Sequence, residues 1–222
     1  DWDARNEAGV DPIQPWLDAI DGAEDLDALM AVSNDLLGKA GVGLAYFATT
    51  QNVEDSSGKV LAFAALSSSL TKDFYAMEGV EELFTTYVDT LFQLGGASEE
   101  EAAAMTETYV AMDKDLANSR MSQEDMADFT KIFNFLDAQE VKDLYPNVDL
   151  ETVQAAMGLH DEDRYVVSDV ELMKKSAEYF TEEHLEELKL YLHLSVLSNF
   201  GGLLNREFSD AVEAYNAALM GV

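Results

Sequence analysis

The sequence predicts a mainly α fold, a multi-helix domain with one β-hairpin near residues 44–66, and three observations lead there. Side chains suited to helix N-caps stand before runs whose apolar residues recur every three or four positions. Only three prolines interrupt the 222 residues. The apolar pattern changes to that of a strand pair in one place, between Gly43 and Leu66.

Taken in order, Asp25 caps a helix whose apolar stripe is Leu26, Leu29, Met30, Leu36 and Leu37, ending at Gly38 and Gly41. Leu44 to Thr50 and Lys59 to Phe63 then flank the polar turn Asn52 to Gly58, which reads as a hairpin. Helices resume after Thr71. The run Val80 to Leu94 is stopped by Gly95-Gly96. Ser98 and Glu101 next form a capping box, in which each side chain satisfies the other's free backbone N–H, and open a long helix with Met105, Tyr109, Met112 and Leu116 on one face.

Pro146 and Gly158 bracket a short helix around Val153 to Met157, and Ser168 to Glu171 repeats the capping signal before Leu172, Ala177 and Phe180. Leu185 to Phe200 is apolar on nearly every side, as a central buried helix is, and Gly201-Gly202 ends it. A last helix covers about Phe208 to Leu219. No internal repeat and no Pro- or Ser-rich linker divides the chain, so residues 1–222 read as one helical domain. For a chain of this size roughly 70% of the unfolded surface is buried on folding.

Charge excludes several function classes. Against 44 Asp+Glu stand 13 Lys+Arg, a net charge of −31 spread along the chain. A phosphate-binding surface needs a basic stripe, and the longest cationic run is Lys174-Lys175, so nucleic acid is not an expected partner. Anionic membrane surfaces are disfavoured on the same ground, and no stretch reaches the roughly 18 apolar residues of a membrane-spanning helix. The absence of cysteine removes disulfides and thiolate chemistry. The opening Asp1-Trp2-Asp3 carries neither an initiator Met nor a leader, which reads as a chain processed or cut from a longer one. A secreted or cell-envelope location is favoured over a cytoplasmic one.

No catalytic, substrate-binding or metal residue is assigned. His160, His184 and His193 lie in no ligand spacing; His193, between Leu192 and Leu194, reads as a hydrogen-bonded core histidine and His184 as a solvated helix residue. The acidic runs Glu99 to Glu101 and Asp161 to Asp163 lack the alternation of a calcium loop and read as solvated charge. Gly38 to Gly43 follows a helix and precedes a strand, the reverse of a phosphate cradle, and reads as a helix terminus. Met105, Met112, Met121 and Met126 read as core filler.

Several segments, in order, nevertheless resemble one family. They are Asp3-Ala-Arg5-Asn6-Glu-Ala-Gly9 leading into Pro12-Ile-Gln-Pro15-Trp-Leu-Asp-Ala-Ile20, the Leu26 to Leu37 helix, and the hairpin with Asp55-Ser56-Ser57 before its second strand. Next come Leu70-Thr-Lys-Asp73-Phe74-Tyr75, Ala117-Asn-Ser119, Phe133-Asn134, and Glu178-Tyr179-Phe180 leading through Leu188, Tyr191 and Leu192 to Phe208-Ser209-Asp-Ala211. Together they resemble the noncatalytic helical region of the neprilysin family of zinc metallopeptidases, in its bacterial endopeptidase type. Leu70 to Tyr75 departs from the family, whose loop has Leu-Pro before an Asp-Tyr-Tyr triplet.

The resemblance implies a helical domain facing a zinc catalytic domain of the same chain across an enclosed cavity that admits oligopeptides. It also implies a zinc cofactor held by two His and a Glu, with a second Glu as general base. Those residues lie outside this segment, which holds no zinc of its own and is expected to be inactive alone. Two other readings compete: a catalytically inactive peptide- or protein-binding helical module of the same architecture, and an acidic structural protein adapted to high salt.

Overall fold

The structure is a computed structural model describing residues 1–160 and 162–221. Helix α1 (Trp2–Ala8) ends at Gly9, where φ is 55°, and α2 (Gln14–Asp21) begins with Pro15 in its first turn. Helix α3 (Leu26–Ala40) starts on Asp25, whose carboxylate accepts from the Ala28 N–H at 2.7 Å, and is left through Gly41 at φ 70°. Gly38, expected to help end this helix, lies inside it for another reason: a Cβ there would stand 2.9 Å from the Ala156 carbonyl oxygen, so the glycine permits the backbones to approach.

The hairpin joins β1 (Tyr46–Gln51) to β2 (Lys59–Ala64) in antiparallel register from Tyr46 opposite Ala64 to Gln51 opposite Lys59. It continues into a four-stranded sheet of order β1, β2, β4, β3, with β3 (Asn134–Asp137) and β4 (Arg164–Val167) antiparallel to each other. Strand β4 meets β2 in parallel at Ala62 opposite Val166. These two strands have four residues each, too few for an alternation to stand out.

Between the strands run α4 (Lys72–Tyr75), capped by Thr71, α5 (Val80–Leu94) and α6 (Glu99–Ser119), whose Ser98–Glu101 capping box forms as expected. The short α7 (Gln123–Met126) and α8 (Phe129–Ile132) precede β3, and α9 (Ala138–Leu144) and α10 (Leu150–Ala156) precede β4. Helix α11 (Val170–Glu178) is capped by Asp169, one residue later than Ser168, because the Asp169 carboxylate accepts from the Leu172 N–H. Then come α12 (Leu185–Gly201) and α13 (Arg206–Met220).

Helix α12 is the axis of the core. Leu188, Leu192, Val196 and Leu197 are fully buried on it, and it contacts α2, α3, α5, α6 and α13. Each such side chain contributes about 1.5–3 kcal/mol of burial. On the sheet side the core is aromatic: Phe47 packs on Phe63 and Tyr165, and Tyr145 on Phe63 and Phe180, with ring centroids 5.0 to 5.3 Å apart. Of the four methionines expected there, Met112 is buried, Met105 and Met121 are half-buried, and Met126 is exposed. Met126 ends a one-turn helix that has no second turn to lay against the core.

Helix α1 is clasped to the turn between α12 and α13. The Trp2 ring lies between the guanidinium groups of Arg5 at 4.2 Å and Arg206 at 4.6 Å. Arg5 also donates to the carbonyl oxygens of Leu204 at 2.6 Å and Gly202 at 2.8 Å.

Candidate functional site

The segment from Leu66 to Leu70, between β2 and α4, has no strand partner, so its backbone N–H groups are satisfied largely by side chains. The Leu66 N–H donates to Ser176 Oγ at 2.9 Å and the Ser67 N–H to the Tyr191 hydroxyl at 3.1 Å, while Arg120 donates to the Ser68 carbonyl at 2.9 Å. The Ser69 N–H donates to Asp113 Oδ1 at 2.6 Å, and the Leu70 N–H reaches Oδ2 at 3.5 Å. Tyr75 closes the cluster by donating its hydroxyl proton to Asp113 Oδ2 at 2.6 Å, and Ser69 Oγ lies 3.0 Å from the Tyr109 hydroxyl.

Asp113 projects from the buried face of α6 and is 1% exposed. Burial raises its carboxyl above the ordinary carboxylate value, and the donors from Ser69, Tyr75 and Leu70 oppose that rise by holding the charged form. Burial, followed by the neighbouring Asp113 charge, raises the Tyr75 phenol far above its usual range, so the proton of this pair stays on the tyrosine. Both carboxylate oxygens accept from the chain itself, and Tyr75 keeps its proton. The arrangement is a latch that fixes a row of serines, and it offers neither a free base nor an activated nucleophile.

The latched row forms one wall of a cavity of about 340 Å³, closed by Tyr87 and Phe84 of α5, Tyr109 of α6, Tyr191 and Ser195 of α12, and Tyr215 of α13. Sequence reading placed Tyr109 on a buried helical face and quoted Tyr75 and Tyr191 without giving any of them a site role, and it missed Asp113. The available signal was an acid four residues after Tyr109, between Met112 and Leu116, where the apolar stripe calls for another hydrophobe.

The histidines do not converge. His193 is buried, with Nδ1 3.1 Å from Asp21 Oδ1 and its ring 5.8 Å from that of Phe92, as read from the sequence. His184 differs from the solvated helix residue expected: it is half-buried at the N-cap of α12, 3.2 Å from Glu187 and packed on the Tyr179 ring at 4.9 Å. His160 is exposed. Glu99 to Glu101 occupy the first turn of α6, where the helix dipole favours negative charge. Of the second acidic run, Asp161 lies outside the described residues. Among the described residues no cluster of three or more His, Asp or Glu is arranged to hold a metal ion, and no helix is long and apolar enough to cross a membrane.

Fold and site together define a helical chain with a small sheet and a latched internal loop, in which no catalytic constellation is assembled among the described residues. The model of the N-terminal region of peptidase family M13 matches residues 1–222, and the chain belongs to that family. The resemblance to the neprilysin family read from the ordered segments holds over the whole chain.

No curated protein matches the chain. Among solved structures, the zinc metalloprotease ZMP1 of Mycobacterium tuberculosis in its open state is 19% identical with a TM-score of 0.87, over 100% of this chain and 36% of that one. The same protease in complex with an inhibitor gives 18% and 0.84, over 97% of this chain and 34% of that one. PepO from Lactobacillus rhamnosis HN001 gives 14% and 0.83, over 100% of this chain and 36% of that one. At these identities the likeness shows the fold. The chain spans about a third of the length of these structures.

Proposed function

We propose that these 222 residues are one helical domain, the noncatalytic part of a zinc metalloendopeptidase that hydrolyses oligopeptides, and that they limit which substrates reach its catalytic cavity. The observation that carries this reading is an asymmetry of coverage: the family match takes in every residue here, whereas the chain spans about a third of the similar solved structures. Zinc and the groups that activate water at it belong, in this reading, to a catalytic domain of the same longer chain. Such a zinc would supply Lewis-acid activation of water, chemistry that the residues described here are not proposed to perform. The residues described here contribute a wall, and the latch keeps that wall rigid. A secreted or cell-envelope location accompanies the reading and is tested by cell fractionation.

The test is a ladder of peptides of increasing length offered to the longer chain, beside metal analysis of residues 1–222 alone. The longer chain is expected to bind one zinc and to cleave short peptides, with rates that collapse beyond a cutoff length; residues 1–222 alone bind no stoichiometric zinc and cleave nothing. One tightly bound zinc in this segment, or equal rates on oligopeptides and folded proteins, would overturn the proposal. A longer chain that binds peptides without zinc or hydrolysis would establish instead the inactive binding module.

A further inference from the structure

The cavity behind the latched serines has a character at odds with the rest of the molecule. The chain carries 57 charged residues, 44 acidic and 13 basic, yet none of them lines this cavity. Its walls are rings and hydroxyls. Tyr87 and Tyr215 stack at 4.1 Å with their planes 5° apart, and neither hydroxyl has a hydrogen-bond partner among the described residues.

A phenol with no partner in the protein is free to bond a ligand hydroxyl that enters beside it. The walls stay neutral in alkali as well: burial raises Tyr191 and Tyr215 to about 12 and Tyr109 well above its ordinary value. The rim is preorganised, since Asp113, Arg120 and Tyr191 hold its backbone before anything binds.

We propose that this cavity binds an uncharged aromatic side chain of a peptide, tyrosine in preference to phenylalanine. Its size is at the lower end of ligand pockets, enough for one side chain and not for a folded segment. Exclusion of charge selects against Asp, Glu, Lys and Arg, because a charge moved there loses hydration and no charged side chain lines the cavity to receive it. The aromatic walls offer stacking or edge contacts to a ring. The free phenols of Tyr87 and Tyr215 supply partners for one ligand hydroxyl. That the ring comes from a peptide rests on the function proposed above; the preference for a neutral hydroxyl-bearing ring does not.

Calorimetric titration of the full-length protein with N-acetyl-tyrosinamide, N-acetyl-phenylalaninamide and N-acetylglucosamine tests the site without reading hydrolysis. Tyrosinamide is expected to bind saturably, with phenylalaninamide about 3- to 10-fold weaker. Ser198→Phe, which puts a ring into the cavity, abolishes both. Tyr87→Phe, which keeps the ring and removes one free phenol, brings the two ligands to within about 2-fold of each other. No saturable binding of tyrosinamide, binding that survives Ser198→Phe in a folded variant, or a preference for the sugar would overturn the proposal. Ring binding that persists in a protein unable to hydrolyse peptides supports the site and overturns the proposed function; hydrolysis without ring binding does the reverse.

Discussion

Two polar joints tie distant parts of this chain together, the latch at Asp113 and the clasp at Trp2, and they use opposite physics. In the latch a carboxylate on α6 accepts from the Ser69 backbone and the Tyr75 hydroxyl inside the core, at 1% exposure. In the clasp the cations of Arg5 and Arg206 lie on a half-buried indole, and Arg5 reaches the backbone beyond α12. Water stands ready to replace the exposed partners of the clasp and none in the latch. Polar contacts are therefore indispensable in one place and more nearly dispensable in the other.

Asp113→Ala gives the sharpest test of that difference. It leaves the Ser69 N–H and the Tyr75 hydroxyl buried without an acceptor, and is expected to cost about 3–5 kcal/mol in urea unfolding. A loss below about 1 kcal/mol would show that water enters the latch and that the contrast is false. Tyr75→Phe removes one donor to the carboxylate while keeping the ring, so a loss of about 1.5–3 kcal/mol is expected from the same measurement.

Alkali probes the walls beside the latch. Tyr191 and Tyr215 are raised from 10.0 to about 12, so the fold favours their protonated forms. That contribution is intact below pH 10 and is lost as the pH climbs from 10 towards 12. The melting temperature should fall across that window together with the rise of phenolate absorbance; ionisation of all nine tyrosines near pH 10 without unfolding would contradict it. Trp2→Ala, at the clasp, is expected to cost only about 1 kcal/mol, and less in high salt. A cost equal to that of Asp113→Ala would erase the comparison.

Legibility in the sequence divided along the same line. Elements defined by local chemistry were readable: the Asp25 and Ser98 caps, the hairpin about Asn52 to Gly58, and the nearly all-apolar α12 stand where the residues indicate. Strands β3 and β4 were not, because four residues acquire their conformation from neighbours far along the chain. Asp113 looked like one carboxylate among 44, and only the fold distinguishes the one that is buried with donors on both oxygens. The ordered segments from Arg5 to Ala211 carried the family, while the cavity needed four helices and a loop brought together before its lack of charge was visible.

The pairing of β2 with β4 sets a timetable for folding. Ala62 and Val166 lie about a hundred residues apart, and everything from α4 to α10 is strung between them. Closing so long a loop costs entropy that one short parallel contact does not return, so the intervening helices must collapse first and carry β4 to the waiting hairpin. During synthesis the β1–β2 hairpin therefore leaves the ribosome with the β2 edge open until Val166 arrives.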